Sequence, residues 1–387
     1  MKKMLFVVLF LFLFPSVVFA EDEGFGIIDE YAEFYGTEIE KSAEKVDNVD
    51  FGKLVPEFDI SEIISGLARG ESVFSVQEIL NKGADLLAGE IRNVLKILVF
   101  VVAVGVLSTY LAGMQSSFNG KEAVNAAFFV CYLVIVGIVA AAFLETVSCG
   151  KAVISNLSVF MKNMAPIALV ATASSGAVVS ASAFEIILIG VIEITEWILE
   201  SFFIPLILMT AALCAVNNLS ESLNAEKLVQ FLNKTVKWGI GLVMTLFVGI
   251  MGLQSIVSGS ADGLTVKVTR FATSHLIPLV GGALSETVET VMNCSVVIKN
   301  AVGVMGIITV ILIVAVPVIK ISACLIMFRL CAAILQPVCD KKIVKCISEF
   351  ADAISSVFGL VAVVAVMFVV MLTIIINMGN AAVLLGR

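Results

Sequence analysis

Four carboxylates, Glu185, Glu193, Glu196 and Glu200, stand in an otherwise apolar stretch of the chain. At about 100° per residue, their offsets of 8, 11 and 15 from Glu185 put all four within about 80° of arc on one helix. Carboxylates buried in a bilayer are costly, and where they occur they face a bundle interior or a wet cavity. The stripe therefore reads as the lining of a pathway or as a seam between subunits. A helix lying on the membrane surface with its carboxylates in water has the same pattern. The continuous apolar run 186–192 favours insertion. Thr195 falls outside the arc, and Trp197 suits a membrane interface. Arg329, in a second apolar stretch, needs a partner or a snorkelling route. A carboxylate of the stripe is a candidate partner.

A second constellation begins at Gly259-Ser260-Ala261-Asp262-Gly263, whose glycines and aspartate predict a turn. The amphipathic stretch that follows holds Lys267, Arg270, His275, Pro278, Gly281, Gly282, Glu286 and Glu289. Pro278 and the paired glycines would break a helix there, which permits a re-entrant element. Broken helices build pathways in transporters, but they also arise for packing alone. Asp262, Gly263, Pro278, Gly281 and Gly282 are the candidate re-entrant residues.

Other chemistries are excluded by composition. His275 is the only histidine, so a His-based metal cluster is ruled out, and a Ser-His-Asp triad is not expected. There is no phosphate-binding GxxxxGK[ST] loop and no dinucleotide fingerprint. The eight cysteines all lie beyond residue 130, contain no CxxC pair and sit mostly in apolar runs, where a thiol acts as a small hydrophobe. No basic stripe points to nucleic acid. The expectation is a protein that is not an enzyme and has neither cofactor nor metal.

The elements that carry these residues follow from hydropathy. The 387 residues are 60% hydrophobic and only 14% charged, with a mean hydropathy of +1.08. Soluble domains are nearer half apolar and a quarter charged, so lipid is the expected solvent. Residues 1–20 read as a signal peptide: Lys2 and Lys3, an apolar core over Met4–Phe14, then Val18-Phe19-Ala20 with cleavage after Ala20. Residues 21–90 carry 18 Asp/Glu against 5 Lys/Arg, a balance of −13. This acidic exported leader is too rich in aromatics for a plain tail. It predicts short amphipathic helices that dock on a partner or on the membrane surface, with a mobile leader as the alternative.

From residue 91 onward the chain reads as a multi-span membrane domain. Spans are predicted at 94–112, 123–146, 202–216, 236–256, 301–319 and 354–378, with weaker segments at 183–199 and 321–337. The Ser/Ala/Gly-rich stretch 152–180, interrupted by Lys162 and Pro166, reads as amphipathic or re-entrant. The fold class is all-α, a polytopic bundle of about six to eight spans behind a cleaved signal peptide. Lys341, Lys342 and Lys345 form the densest basic cluster and belong inside, opposite the exported leader. Eight crossings satisfy both, but leave Lys151, Lys162, Lys227, Lys234 and Lys237 outside. Pro205 and Pro317, within spans, predict kinks.

The chain also resembles the stage III sporulation protein AE family of endospore-forming bacteria. The resemblance is carried by Ile204-Pro205-Leu206-Ile207-Leu208 running into Ala215-Val216-Asn217-Asn218-Leu219-Ser220-Glu221. It continues in Ala261-Asp262-Gly263 through Ile277-Pro278, in Ile298-Lys299-Asn300-Ala301-Val302-Gly303 and in Leu335-Gln336-Pro337. It covers most of residues 90–380, whereas the leader matches in character only. What it implies is a non-enzymatic subunit of a secretion-like channel between mother cell and forespore, needed for late forespore sigma-factor activity. By the same resemblance its partners would be an ATPase, small multi-span proteins and ring-forming proteins, besides membrane lipid, in the mother-cell membrane around the forespore. From the residues alone, a stand-alone secondary transporter or permease of unknown substrate is the alternative, although no internal repeat supports it.

Overall fold

The computed structural model describes residues 25–45, 63–66, 76–114, 121–217, 226–276 and 281–378, and helix is the only regular structure among them. The elements are α1 (Phe25–Glu44), α2 (Val76–Met114), α3 (Lys121–Ser174), α4 (Val178–Ile198), a π turn (Leu199–Phe203), α5 (Ile204–Asn217), α6 (Glu226–Leu276), α7 (Gly281–Leu335) and α8 (Lys341–Asn377). The signal sequence, with its cleavage residue Ala20, lies outside the described residues.

Six helical segments are long and apolar enough to cross a membrane. Two pairs of predicted spans are fused. Residues 183–199 and 202–216 form one 38-residue segment, Ser180–Asn217, and 301–319 and 321–337 share Cys294–Leu335. The stretch 152–180 is likewise not re-entrant: to residue 174 it continues α3, and from 178 it begins α4. Polar residues such as Lys162 do not stop a helix once its hydrogen-bond ladder is running, because propagation is cheap and nucleation is costly. At 1.5 Å per residue the 49-residue segment Ala126–Ser174 extends about 75 Å, more than twice a hydrocarbon core of about 30 Å.

Local chemistry accounts for the breaks. The α3–α4 turn places Gly176 at φ 96°, a conformation that costs glycine little. Ser175 Oγ donates to the Thr172 carbonyl there at 2.7 Å. The kink predicted at Pro205 is a π turn over Leu199–Phe203. Proline has no N–H for the carbonyl four residues back, and a wider turn relieves the clash its ring would make. Asp340 caps α8, accepting from the Lys342 N–H at 2.8 Å.

The helices alternate in direction. α7 and α8 form a hairpin at the bundle centre, with α3 packed on both. Phe143 of α3 and Phe350 of α8 meet edge to face at 5.5 Å. A Cβ on Gly150 would lie 2.6 Å from Val357, and one on Gly303 would run into Ile376. Small residues let backbones close up, and in lipid that packing substitutes for the missing hydrophobic drive. The leader helix α1 packs against α3 and α7 of this chain. Tyr35, Ile39 and Ala43, one turn apart, are buried, and Lys45 Nζ donates to Asn163 Oδ1 at 2.9 Å. α2 runs through residue 90 without a break, so the helix that begins in the acidic segment continues into the first span.

Candidate functional site

The carboxylate stripe packs against α3. Lys162 Nζ stands 2.8 Å from Glu196 and 3.9 Å from Glu193. Lys151 Nζ stands 3.7 Å from Glu200. The two lysines are 11 residues apart, hence about 20° apart on α3. Because α3 and α4 are antiparallel across a tight turn, a lysine row on one meets the carboxylate row on the other. Glu185 is exposed and joins neither lysine. The buried side of α4 is mainly apolar, with Phe184, Leu188 and Ile192 fully enclosed beside the buried Ser180 and Thr195. The stripe is thus an ion-paired seam along a helix that packs in the bundle. Its partners Lys151 and Lys162 were missed as site residues, although their 11-residue spacing repeats that of Glu185 and Glu196 and was readable.

Arg329 pairs elsewhere than expected. Its Nη2 lies 2.6 Å from Asp352 Oδ1, across the α7–α8 hairpin, and not against the stripe. The hairpin loop at 336–340 brings these two helices side by side, whereas α4 packs on α3 and α6. Lys345 Nζ forms a further exposed pair with Glu226 of α6 at 2.8 Å.

The candidate re-entrant element is not brought together as predicted. α6 runs helically from Glu226 to Leu276, through Asp262 and Gly263, so the expected turn is absent. Glycine costs a helix interior about 1 kcal/mol, too little to end a long helix by itself. Gly281 and Gly282 open α7 instead of interrupting a span. Pro278 lies outside the described residues. His275 belongs to the last turn of α6.

The family-like stretch 298–303 holds a feature that hydropathy conceals. Lys299 is 2% exposed, and its Nζ donates to the Met378 carbonyl at 2.7 Å, capping the C-terminus of α8. Asn300 beside it is equally buried. At the opposite end Tyr132 donates its hydroxyl to the Ala215 carbonyl at 3.1 Å. All eight cysteines are free, and six are buried. Among the described residues no group of three or more His, Cys, Asp or Glu is arranged to hold a metal.

Long apolar helices, ion pairs placed between helices and a buried lysine cap define a polytopic helical membrane protein. Comparison with known proteins gives the particular family. The profile of the stage III sporulation protein AE family matches residues 58–379, and the chain belongs to that family. It is similar to the stage III sporulation protein AE of Bacillus subtilis (strain 168), with 26% identity over 331 residues, covering 86% of this chain and 83% of the relative. No solved structure matches the chain.

Proposed function

We propose that this protein is a non-enzymatic membrane subunit of a secretion-like channel between mother cell and forespore, required for late forespore sigma-factor activity. The observation that carries the reading is membership of the sporulation family over most of the chain by a bundle with six helices able to cross a membrane. The described interior supports it. Charged side chains on facing helices are tied into ion pairs, and the buried Lys299 is held by a backbone carbonyl, an arrangement suited to holding a rigid wall rather than to turning over a substrate. In this reading the acidic leader, folded onto α3 and α7, faces the space between the two membranes and offers a docking surface to ring-forming partners. A cytoplasmic ATPase supplies energy, small multi-span proteins complete the complex, and the protein sits in the mother-cell membrane around the forespore.

The test is deletion of the gene in its own host. Spore yield and a late forespore sigma reporter are scored after engulfment. Completed engulfment with a silent reporter is the expected result. Normal spores would remove this reading.

A further inference from the structure

Lys227, Lys234 and Lys237 of α6 and Glu145 of α3 are exposed on the outside of the bundle. Among the described residues none of the four has an ion-pair partner in its own chain. In lipid such groups are costly until they meet a counter-charge. Two separate sets of contacts set Lys234 and Glu145 at one height. In the first, Phe143 of α3 meets Phe350 of α8, and Lys345, five residues below Phe350, pairs with Glu226 of α6. Lys234, eight residues up from Glu226, then comes level with Thr146. In the second, Lys151 of α3 pairs with Glu200, and three residues further down that chain a Cβ on Gly239 would touch the Phe203 ring. Lys234, five residues below Gly239, then comes level with Phe143. Both routes end within two residues of Glu145, a rise of about 3 Å. Within one chain α6 packs on α4, α5, α7 and α8, so this lysine and this carboxylate are not paired in a single copy.

The surfaces around the two groups fit each other. One turn to either side of Lys234, α6 presents Phe231 and Trp238, 64% and 71% exposed. At the height of Phe231, α3 exposes Gly137 and Ala141, and a Cβ on Gly137 would have nothing within 4 Å. Val134 and Leu144 border this shallow place, where an aromatic ring can lie flat on the helix. Close packing of that kind is what joins helices in lipid. Copies in one bilayer share one orientation, so a symmetric assembly has its axis along the membrane normal and only groups at equal height can touch. α6 against α6 would set lysine against lysine. The exposed Glu193 of α4 lies beside Lys162, 17 residues or about 25 Å above Glu145, and is out of reach. α3 supplies the acidic group at the right level. Lys96 of α2 stands at that level too, through the Glu90–Lys320 and Thr146–Cys324 contacts. It repels the α6 lysines, so α6 seats on α3 itself and not in the groove between α2 and α3.

We propose that copies of this chain assemble head to tail, with Phe231, Lys234 and Trp238 of one seated on Gly137, Ala141 and Glu145 of the next. Because the two faces belong to different helices, each copy keeps one free face, and repetition about the membrane normal closes a ring. The inference goes beyond the channel reading and does not rest on it, since association in a bilayer can be measured whatever the sporulation phenotype.

The experiment uses the full chain reconstituted in phospholipid vesicles. Lys234→Cys and Glu145→Cys are made singly and together in one chain, oxidised with copper phenanthroline and run without reductant. Cross-linking is read above that of the parent protein, six of whose eight cysteines are buried. The expected result is a ladder of dimers, trimers and higher species from the double variant, with each single variant at the parent's level. No ladder from the double variant, or dimers from Lys234→Cys alone, would overturn the proposal. A second measurement keeps both charges and needs no new cysteine. Association in the vesicles is counted by single-molecule photobleaching for Lys234→Glu, Glu145→Lys and the two combined. Each single reversal should weaken association at least tenfold, and the combination should recover most of it, which a misfolded variant could not do. Unchanged association in both single variants, or no recovery in the combination, would overturn the proposal.

Discussion

Lys162 shows how much of this protein's polar chemistry depends on one side chain. It faces two carboxylates, Glu193 and Glu196, from the adjacent antiparallel helix. Lys162→Glu would set three like charges together and should lower the unfolding midpoint in detergent. Adding Glu196→Lys should recover part of the loss, with a coupling of about 0.5–1 kcal/mol for a half-exposed pair. A double variant no more stable than Lys162→Glu alone would mean that the seam is not an ion pair in solution. Lys299 is the opposite case, since it is buried and its ammonium holds the carbonyl of Met378, the residue that caps α8. Lys299→Met keeps the volume but leaves that carbonyl without its charged donor, at a cost of about 1–3 kcal/mol. Hydrogen exchange in the final turn of α8 should quicken while the α3 core stays protected. Unchanged exchange there would count against the cap.

Among the elements, the α7–α8 hairpin is the most closely packed. Gly303 sits where a Cβ would strike Ile376, so Gly303→Val should separate the helices and destabilise the bundle by about 1–3 kcal/mol through overpacking. Gly359 has open space around its Cα, and Gly359→Ala is expected to accumulate and unfold as the parent does. Equal behaviour of the two variants would rule out the close approach. The leader helix can be examined in the same way. Ile39 is fully buried under α1, and Ile39→Asp should release α1 from α3 and α7. Limited proteolysis would then cut within residues 25–45 much sooner, with the remaining helices intact. An unaltered cutting rate would mean that the helix is held by something other than this contact.

At the scale of the whole molecule, the ends of the bundle carry opposite character. α1 sits at the end marked by Asn163, while Lys345 and Glu226 share the other. Lys227 therefore lies with Lys341, Lys342 and Lys345, which takes it out of the conflict that eight crossings created, whereas Lys151 and Lys162 stand farther along α3 toward the leader end. With the basic cluster inside, Lys342→Cys in intact cells should react only with a membrane-permeant thiol reagent. Thr37→Cys on α1 should react with an impermeant one. The reverse pattern would invert the orientation. The sequence alone settled that the chain is helical and membrane-borne, since hydropathy and span length depend only on the order of residue types. It also settled the family, and the angular positions of the charged residues on their own helices, because a helix has one period. Only the tertiary structure decided which row faces which: that Lys151 and Lys162 meet the stripe, that Arg329 meets Asp352, that Lys299 reaches Met378 and that α1 folds back on its own bundle. Those partners are separated by between 23 and 118 residues. A one-dimensional pattern contains no term for the packing of helices that brings them together, and local propensity cannot say which of two rows will turn inward.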